Sequence, residues 1–123
     1  MTSIIRVLIV DNQPRARQSM KALLGAWYQA AEVREAADGY DAVQLAEEFQ
    51  PDVILMDARM PKMSGLEAAR HIKAKSPGIK IIVLSMYPDL KAEALQAGAD
   101  AFVSKSDPPE KLRETLTNVM REI

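Results

Sequence analysis

The chain has 123 residues, 48% of them hydrophobic and 27% charged, with no cysteine and a formal net charge of −1. That length fits one domain with its own apolar core, and the composition is that of an ordinary globular protein rather than a disordered or membrane-spanning one. The nearly balanced charge offers no global attraction for a phosphate backbone, so direct nucleic-acid binding by this chain is not expected. Residues 4–10 are almost all apolar and β-branched, broken only by Arg6, which predicts a strand covered on both faces. After Asp11-Asn12-Gln13-Pro14, the residues Met20, Leu23, Leu24 and Trp27 recur at the i, i+3, i+4, i+7 spacing of one helical face. Residues 32–37 form a weaker second strand, followed by an Asp38-Gly39 turn. A second helix carries Ala42, Leu45, Ala46 and Phe49 on its inner face and ends at Pro51. The third strand, residues 53–56, is closed by Asp57. A loop over residues 58–64, with Pro61 in it, leads past Gly65 into a third helix. Its inner face is Leu66, Ala69 and Ile72, and Pro77-Gly78 stops it. The fourth strand covers residues 80–84 and the fifth residues 101–103. A short helix over residues 89–97, ending at Gly98, separates them. The last helix starts near Pro109 and buries Leu112, Leu116, Val119, Met120 and Ile123.

Five strands alternating with five helices specify an α/β fold with a parallel sheet covered on both sides. The expected architecture is a flavodoxin-like (βα)5 three-layer sandwich with strand order 2-1-3-4-5, one domain over residues 1–123. No repeat, linker or low-complexity tract interrupts it, and any attached output domain lies outside this sequence. The longest apolar runs, residues 7–10, 53–56 and 81–84, are far shorter than the roughly 20 residues of a membrane-spanning helix. The first residues lack the charged region, apolar stretch and cleavage site of a signal peptide. The expectation is therefore a cytoplasmic protein without a membrane partner.

In such sheets ligands bind outside the carboxyl ends of the strands, where the strand order reverses. The residues that follow the apolar parts of strands one, three, four and five are Asp11, Asp57, Ser85 and Lys105. Each alone has an ordinary explanation, a turn or cap residue, a strand end or a solvated charge; together they place two carboxylates, a hydroxyl and an amine on one rim. Two carboxylates brought close repel each other unless a cation neutralises them. A hard divalent ion such as Mg²⁺ suits that pair, because it takes one or two carboxylates together with water and phosphate oxygens. The ion and the Lys105 ammonium can offset the charge of an incoming phosphoryl group, with Asp57 as nucleophile and Ser85 donating to a phosphoryl oxygen.

These residues resemble the response-regulator receiver family over essentially the whole chain. The resemblance is carried by Val10-Asp11-Asn12, by Met56-Asp57-Ala58-Arg59-Met60-Pro61 running to Gly65, by Leu84-Ser85, and by Ala97-Gly98-Ala99-Asp100-Ala101-Phe102-Val103-Ser104-Lys105. It implies a signalling domain of a two-component phosphorelay rather than an enzyme, with at most self-phosphorylation and self-dephosphorylation. The resemblance implies that a histidine kinase or a small phosphodonor phosphorylates Asp57 in the presence of Mg²⁺ or Mn²⁺. The metal ligands it implies are Asp11, Asp57 and the backbone carbonyl of Arg59, with Asn12 a weak or indirect one. It also implies that Ser85 and Phe102 form a switch that alters the partner preference of the helix-four, strand-five, helix-five face. That face serves an output domain or partner protein, and a phosphorylation-dependent homodimer is one assembly it admits. The stretch from Lys105 to Leu112 looks like receivers that carry a helix-turn-helix output domain, a hint towards control of transcription.

The chain departs from the family pattern at four places. A second acidic residue usually follows the first strand, where this chain has Asn12, a residue suited to starting helix one instead. Ser106 stands where a proline in a cis bond is usual, which leaves the Lys105-Ser106 isomer open. Met86 is bulkier than the common small residue and narrows access to Asp57. Arg59 and Tyr87 occupy positions where the family varies the lifetime of the phosphorylated state. Two rival readings stand beside the main one. A receiver-like interaction domain that works without phosphorylation is motivated by Asn12. A phosphatase of the haloacid dehalogenase class would want a second aspartate where this chain has Arg59, and neither nucleotide-binding glycine motif occurs. His71, in helix three, reads as a surface side chain.

Overall fold

Apolar, β-branched runs form the interior strands of the computed structural model, which describes residues 4–122. The expected burial of Ile123 lies outside the described residues. In chain order the elements are β1 (Ile5–Val10), α1 (Pro14–Trp27), β2 (Ala31–Ala36), α2 (Gly39–Phe49) and β3 (Val53–Asp57). There follow α3 (Gly65–Lys75), β4 (Lys80–Ser85), a 3-10 turn (Pro88–Leu90), α4 (Lys91–Gln96), β5 (Ala101–Ser104) and α5 (Pro109–Met120). All strand pairs are parallel, and the sheet order is β2-β1-β3-β4-β5, as expected.

Alternation along the strands divides the core into two layers. Leu8, Val10, Ile54, Met56, Ile81 and Val83 point to the side packed by α2, α3 and α4. Val7, Ile9, Val53, Leu55, Ile82 and Leu84 point to the side packed by α1 and α5. Because successive side chains point to opposite faces, a strand buried on both sides must be apolar at every position, which is why these runs do not alternate with polar residues. The edge strand β2 is different. Glu32, Arg34 and Glu35 leave it charged and exposed, so it does not template pairing with another sheet.

Several boundaries differ from the sequence expectation, among them the ends of β3 and β4, which take in Asp57 and Ser85, each one residue later than expected. Ile4 is exposed and precedes β1, which opens where the Ile5 N–H meets the Ala30 carbonyl. β2 runs one residue earlier than expected, in register with all of β1. β5 extends to Ser104, paired with Ser85. The helix between β4 and β5 is split: Leu90 N–H bonds the Tyr87 carbonyl three residues back, giving a 3-10 turn before α4. Met120 is half-buried rather than buried, and His71 is exposed, as read from the sequence.

Helix starts are local chemistry. The Asp38 carboxylate accepts from the Asp41 N–H at 2.9 Å and opens α2, and the Ser64 hydroxyl accepts from the Glu67 N–H at 3.2 Å and opens α3. Helices α1 and α5 begin with proline, whose missing N–H is one of the donors a first turn leaves unpaired anyway. Asn12 does not cap α1. The helix begins at Pro14 without a side-chain cap, and the Asp11 carboxylate takes the Gln13 N–H at 2.9 Å.

Gly65 matters for the rim because α3 begins against the end of β3. Its N–H bonds the Ala58 carbonyl at 3.0 Å, and a Cβ there would collide with the Asp57 carbonyl oxygen. Gly65→Ala should therefore destabilise the domain by about 1–3 kcal/mol, the usual cost of overpacking. Urea denaturation measures it, and an unchanged midpoint would show that α3 can move away from β3 freely.

Candidate functional site

The carboxyl ends of β1, β3, β4 and β5 bring four polar side chains to one rim. Asp11 follows β1, Asp57 and Ser85 close β3 and β4, and Lys105 follows β5. Register fixes their relative height: Asp57 lies beside Leu84, and Ser85 beside Ser104. The Lys105 Nζ donates to Asp11 Oδ2 at 2.8 Å and lies 3.2 Å from Asp57 Oδ1. One ammonium thus bridges two carboxylates that are 46 positions apart in sequence, brought together only by the fold.

Asp11 is only 6% exposed, and every part of it is held. Its Oδ1 accepts from the Gln13 N–H and its Oδ2 from Lys105, while its backbone N–H donates to the Ala36 carbonyl at 3.1 Å. Its carbonyl accepts from Arg17 Nη1 at 2.6 Å, and Arg17 Nε bonds Glu35 on β2 at 3.1 Å. Lys21 joins Glu35 at 3.2 Å, and these two cations hold the Glu35 carboxyl below its ordinary pKa, against the opposing effect of burial. Arg17 was not singled out in the sequence. It lies one helical turn beyond the Asp11 segment, where a long donor can reach back to a strand-end carbonyl.

Ser85 is 1% exposed, and its hydroxyl oxygen accepts from the Tyr87 N–H at 2.9 Å. Its carbonyl accepts from the Lys105 N–H at 2.8 Å, so β4 and the β5–α5 loop are tied at the rim. The Arg59 guanidinium stacks on the Tyr87 ring, 4.0 Å from its centroid, which links the β3–α3 loop to the β4–α4 loop. Met86 beside it is 60% exposed. Phe102 lies in β5 beside Val83, half-buried against the α2–α4 side of the core. Asn12 is half-buried next to Asp11. All peptide bonds of the described residues are trans, including Lys105-Ser106.

Burial raises the Asp57 pKa above the ordinary carboxylate value; the neighbouring Lys105 charge works against this, and the Asp11 charge adds to it. Burial disfavours the Lys105 ammonium, but its hydrogen bond to Asp11 and the charge of Asp57 outweigh that and raise its pKa. Among the described residues no three His, Cys, Asp or Glu side chains form a metal-binding cluster. The rim instead offers two carboxylates and one ammonium. The two carboxylates suit Mg²⁺, which needs only one or two of them from the protein and keeps much of its water. No helix of the described residues is long and apolar enough to cross a membrane.

Residues 7–117 match the family described as response regulator receiver domain. Among curated proteins, the transcriptional regulatory protein YdfI of Bacillus subtilis is 40% identical over 118 residues, 94% of this chain and 55% of YdfI. A LuxR-family two-component response regulator from Aurantimonas sp. SI85-9A1 has a similar structure. It superposes with a TM-score of 0.92 at 31% identity, over 98% of this chain and 87% of that one. The receiver domain of the sensor histidine kinase PA1611 of Pseudomonas aeruginosa PAO1, solved with a magnesium ion coordinated in the active site cleft, superposes with a TM-score of 0.84. It is 30% identical, over 96% of this chain and 98% of that domain. The chain spans about half the length of the curated relatives it matches.

The raised Asp57 pKa has a consequence for stability. A carboxyl whose acid form is favoured by the fold loses stability as pH rises from its unfolded value through its folded one. Ionised Asp57 therefore works against folding near neutral pH. Asp57→Asn, of nearly the same shape but uncharged, should raise the urea midpoint at pH 7 in metal-free buffer. The gain should shrink at about pH 4, where the carboxyl takes up its proton. A midpoint at pH 7 equal to or below that of the parent would contradict this electrostatic account.

Proposed function

The chain belongs to the response regulator receiver domain family, and we propose that residues 1–123 form one such domain with Asp57 as its phosphoacceptor. The observation that carries the assignment is the Lys105 ammonium seated within hydrogen-bonding reach of both Asp11 and Asp57. Asp57 ends an interior strand between the other polar groups, so one carboxylate oxygen faces a rim already supplied with a cation.

In the proposed reaction, an Asp57 oxygen attacks phosphorus as the bond to the donor atom breaks, whether that atom is a histidine nitrogen of a kinase or an oxygen of acetyl phosphate. Lys105 pairs with the acceptor before transfer and with a phosphoryl oxygen after it, moving a short distance between the two. Asp11, Asp57 and the Arg59 carbonyl would hold Mg²⁺ or Mn²⁺, with Asn12 contributing only a dipole. When bound, the ion supplies charge neutralisation for the phosphoryl oxygens. The proton of the Ser85 hydroxyl is free to donate to the phosphoryl group, since its oxygen accepts from Tyr87 N–H. That movement would draw on the β4–α4 loop, with Phe102 following into the core and altering the α4-β5-α5 face. Arg59, Met86 and Tyr87 surround the entrance and are proposed to set access and phosphoryl lifetime.

The wider role follows from the relatives. The whole protein is proposed to be cytoplasmic, to receive its signal from a histidine kinase, and to control transcription through an output domain or partner on the α4-β5-α5 face, in keeping with regulators such as YdfI. The domain itself is proposed to act as a signalling acceptor rather than a turnover enzyme. Asn12 favours the alternative of an interaction domain independent of phosphorylation, and labelling separates the two. Intact-protein mass spectrometry after acetyl phosphate and Mg²⁺ should show one added phosphoryl group, absent from Asp57→Asn. A parent protein that never takes the label would transfer the case to the alternative.

The Asn12→Asp variant tests the metal side. A carboxylate offers the ion a full charge, and charged interactions exceed dipolar ones by about 1 kcal/mol. The half-saturating Mg²⁺ concentration for labelling should fall roughly 5- to 50-fold on tenfold per 1.4 kcal/mol, the upper part of the range coming from relief of the added carboxylate's repulsion with Asp11 and Asp57 when the ion binds. An unchanged midpoint would mean that residue 12 does not face the ion.

A further inference from the structure

The Lys105 side chain has four rotatable carbon bonds, so its ammonium stays over two carboxylates only if the backbone beneath it is fixed. On the β5 side, the Lys105 N–H bonds the Ser85 carbonyl at 2.8 Å, continuing the β4–β5 ladder one residue past the strand. On the other side, Pro108 and Pro109 lock their own φ and open α5. Only Ser106 and Asp107 lie between these two restraints, and both are exposed.

What closes this segment is a turn from Ser104 to Asp107, in which the Asp107 N–H bonds the Ser104 carbonyl at 3.1 Å. Within it, the Ser104 hydroxyl accepts from the Ser106 N–H at 3.2 Å and lies 2.8 Å from the Ser106 hydroxyl. Side-chain hydroxyls that bond the backbone two residues on are a recurrent way of fixing such turns. Here the two hydroxyls flank Lys105 in sequence and bond each other across it.

We propose that Ser104 and Ser106 are positioning residues for Lys105, and that their paired hydroxyls hold the turn that keeps its ammonium over Asp11 and Asp57. The proposal rests on the reading of Asp57 as phosphoacceptor for its effect on rate, but not for its effect on Lys105. Losing one hydroxyl bond of ordinary net strength should slow labelling by about 2- to 10-fold.

The test compares the parent with Ser106→Ala, Ser106→Thr and Ser104→Ala, using acetyl phosphate with Mg²⁺ as the probe. A second readout, without phosphodonor, is the side-chain ¹⁵N signal of the Lys105 ammonium, whose protons exchange slowly only while it is held. Both alanine variants should lose that slow exchange and label more slowly while staying folded, with the urea midpoint lowered by no more than such a bond contributes, and Ser106→Thr should restore both readouts. Alanine variants that match the parent in both readouts would overturn the proposal, as would a threonine variant no better than alanine. If the parent takes no label while its Lys105 signal still responds to Ser106→Ala, the acceptor assignment fails and the positioning role stands.

Discussion

Two carboxylates and one ammonium share the rim of this domain, and the net single negative charge they leave is the constraint around which the other features are arranged. Asp11 and Asp57 end neighbouring strands, so their proximity is a product of the sheet and cannot be relaxed without breaking β1–β3 pairing. Lys105 relieves the repulsion from the far side of β4, at 2.8 and 3.2 Å. Burial raises the Asp57 pKa all the same. In the proposed function a divalent cation would supply the positive charge that the resting arrangement lacks, and together with Lys105 it would offset the charge of an incoming phosphoryl group.

The supports of that arrangement lie one layer out. Arg17 grips the Asp11 carbonyl and is itself held by Glu35, so α1, β1 and β2 are joined at the acidic end of the rim. At the other end, the Ser85 carbonyl takes the Lys105 N–H, and Arg59 stacked on Tyr87 joins the two loops beside Asp57. These ties are local and polar, whereas the strands below them are locked by apolar packing on both faces. Movement is therefore easier in the loops than in the sheet, so the proposed switch would draw on the β4–α4 loop that follows Ser85 rather than on the strands that hold Ser85 and Phe102.

Much of this was legible in the sequence because the signals were redundant. Residues 7–10, 53–56 and 81–84 read as two-sided strands, and each is followed at once by a polar residue, so the strand order alone gathers Asp11, Asp57 and Ser85. Lys105 was found in the same way. The weak edge strand β2 was placed one residue late, since its alternation of charged and apolar residues carries little boundary information. The split before α4 was missed because Pro88 suits the first turn of an α-helix and of a 3-10 turn alike. The cap role considered for Asn12 failed on geometry that residue type does not encode: Asp11 reaches the Gln13 N–H first. Arg17, the Arg59–Tyr87 stack and the Ser104–Ser106 pair depend on side-chain reach between loops, for which no periodicity exists.

The central claim is chemical, that the carboxylate of Asp57 forms an acyl phosphate. Borohydride reduces an aspartyl phosphate to homoserine and leaves phosphoserine and free aspartate untouched, so the site can be read directly from peptide masses. After acetyl phosphate and Mg²⁺ treatment followed by reduction, homoserine should be found at position 57 and at no other aspartate. Homoserine at Asp11, or a label that survives reduction on Ser85 or another hydroxyl, would contradict the account.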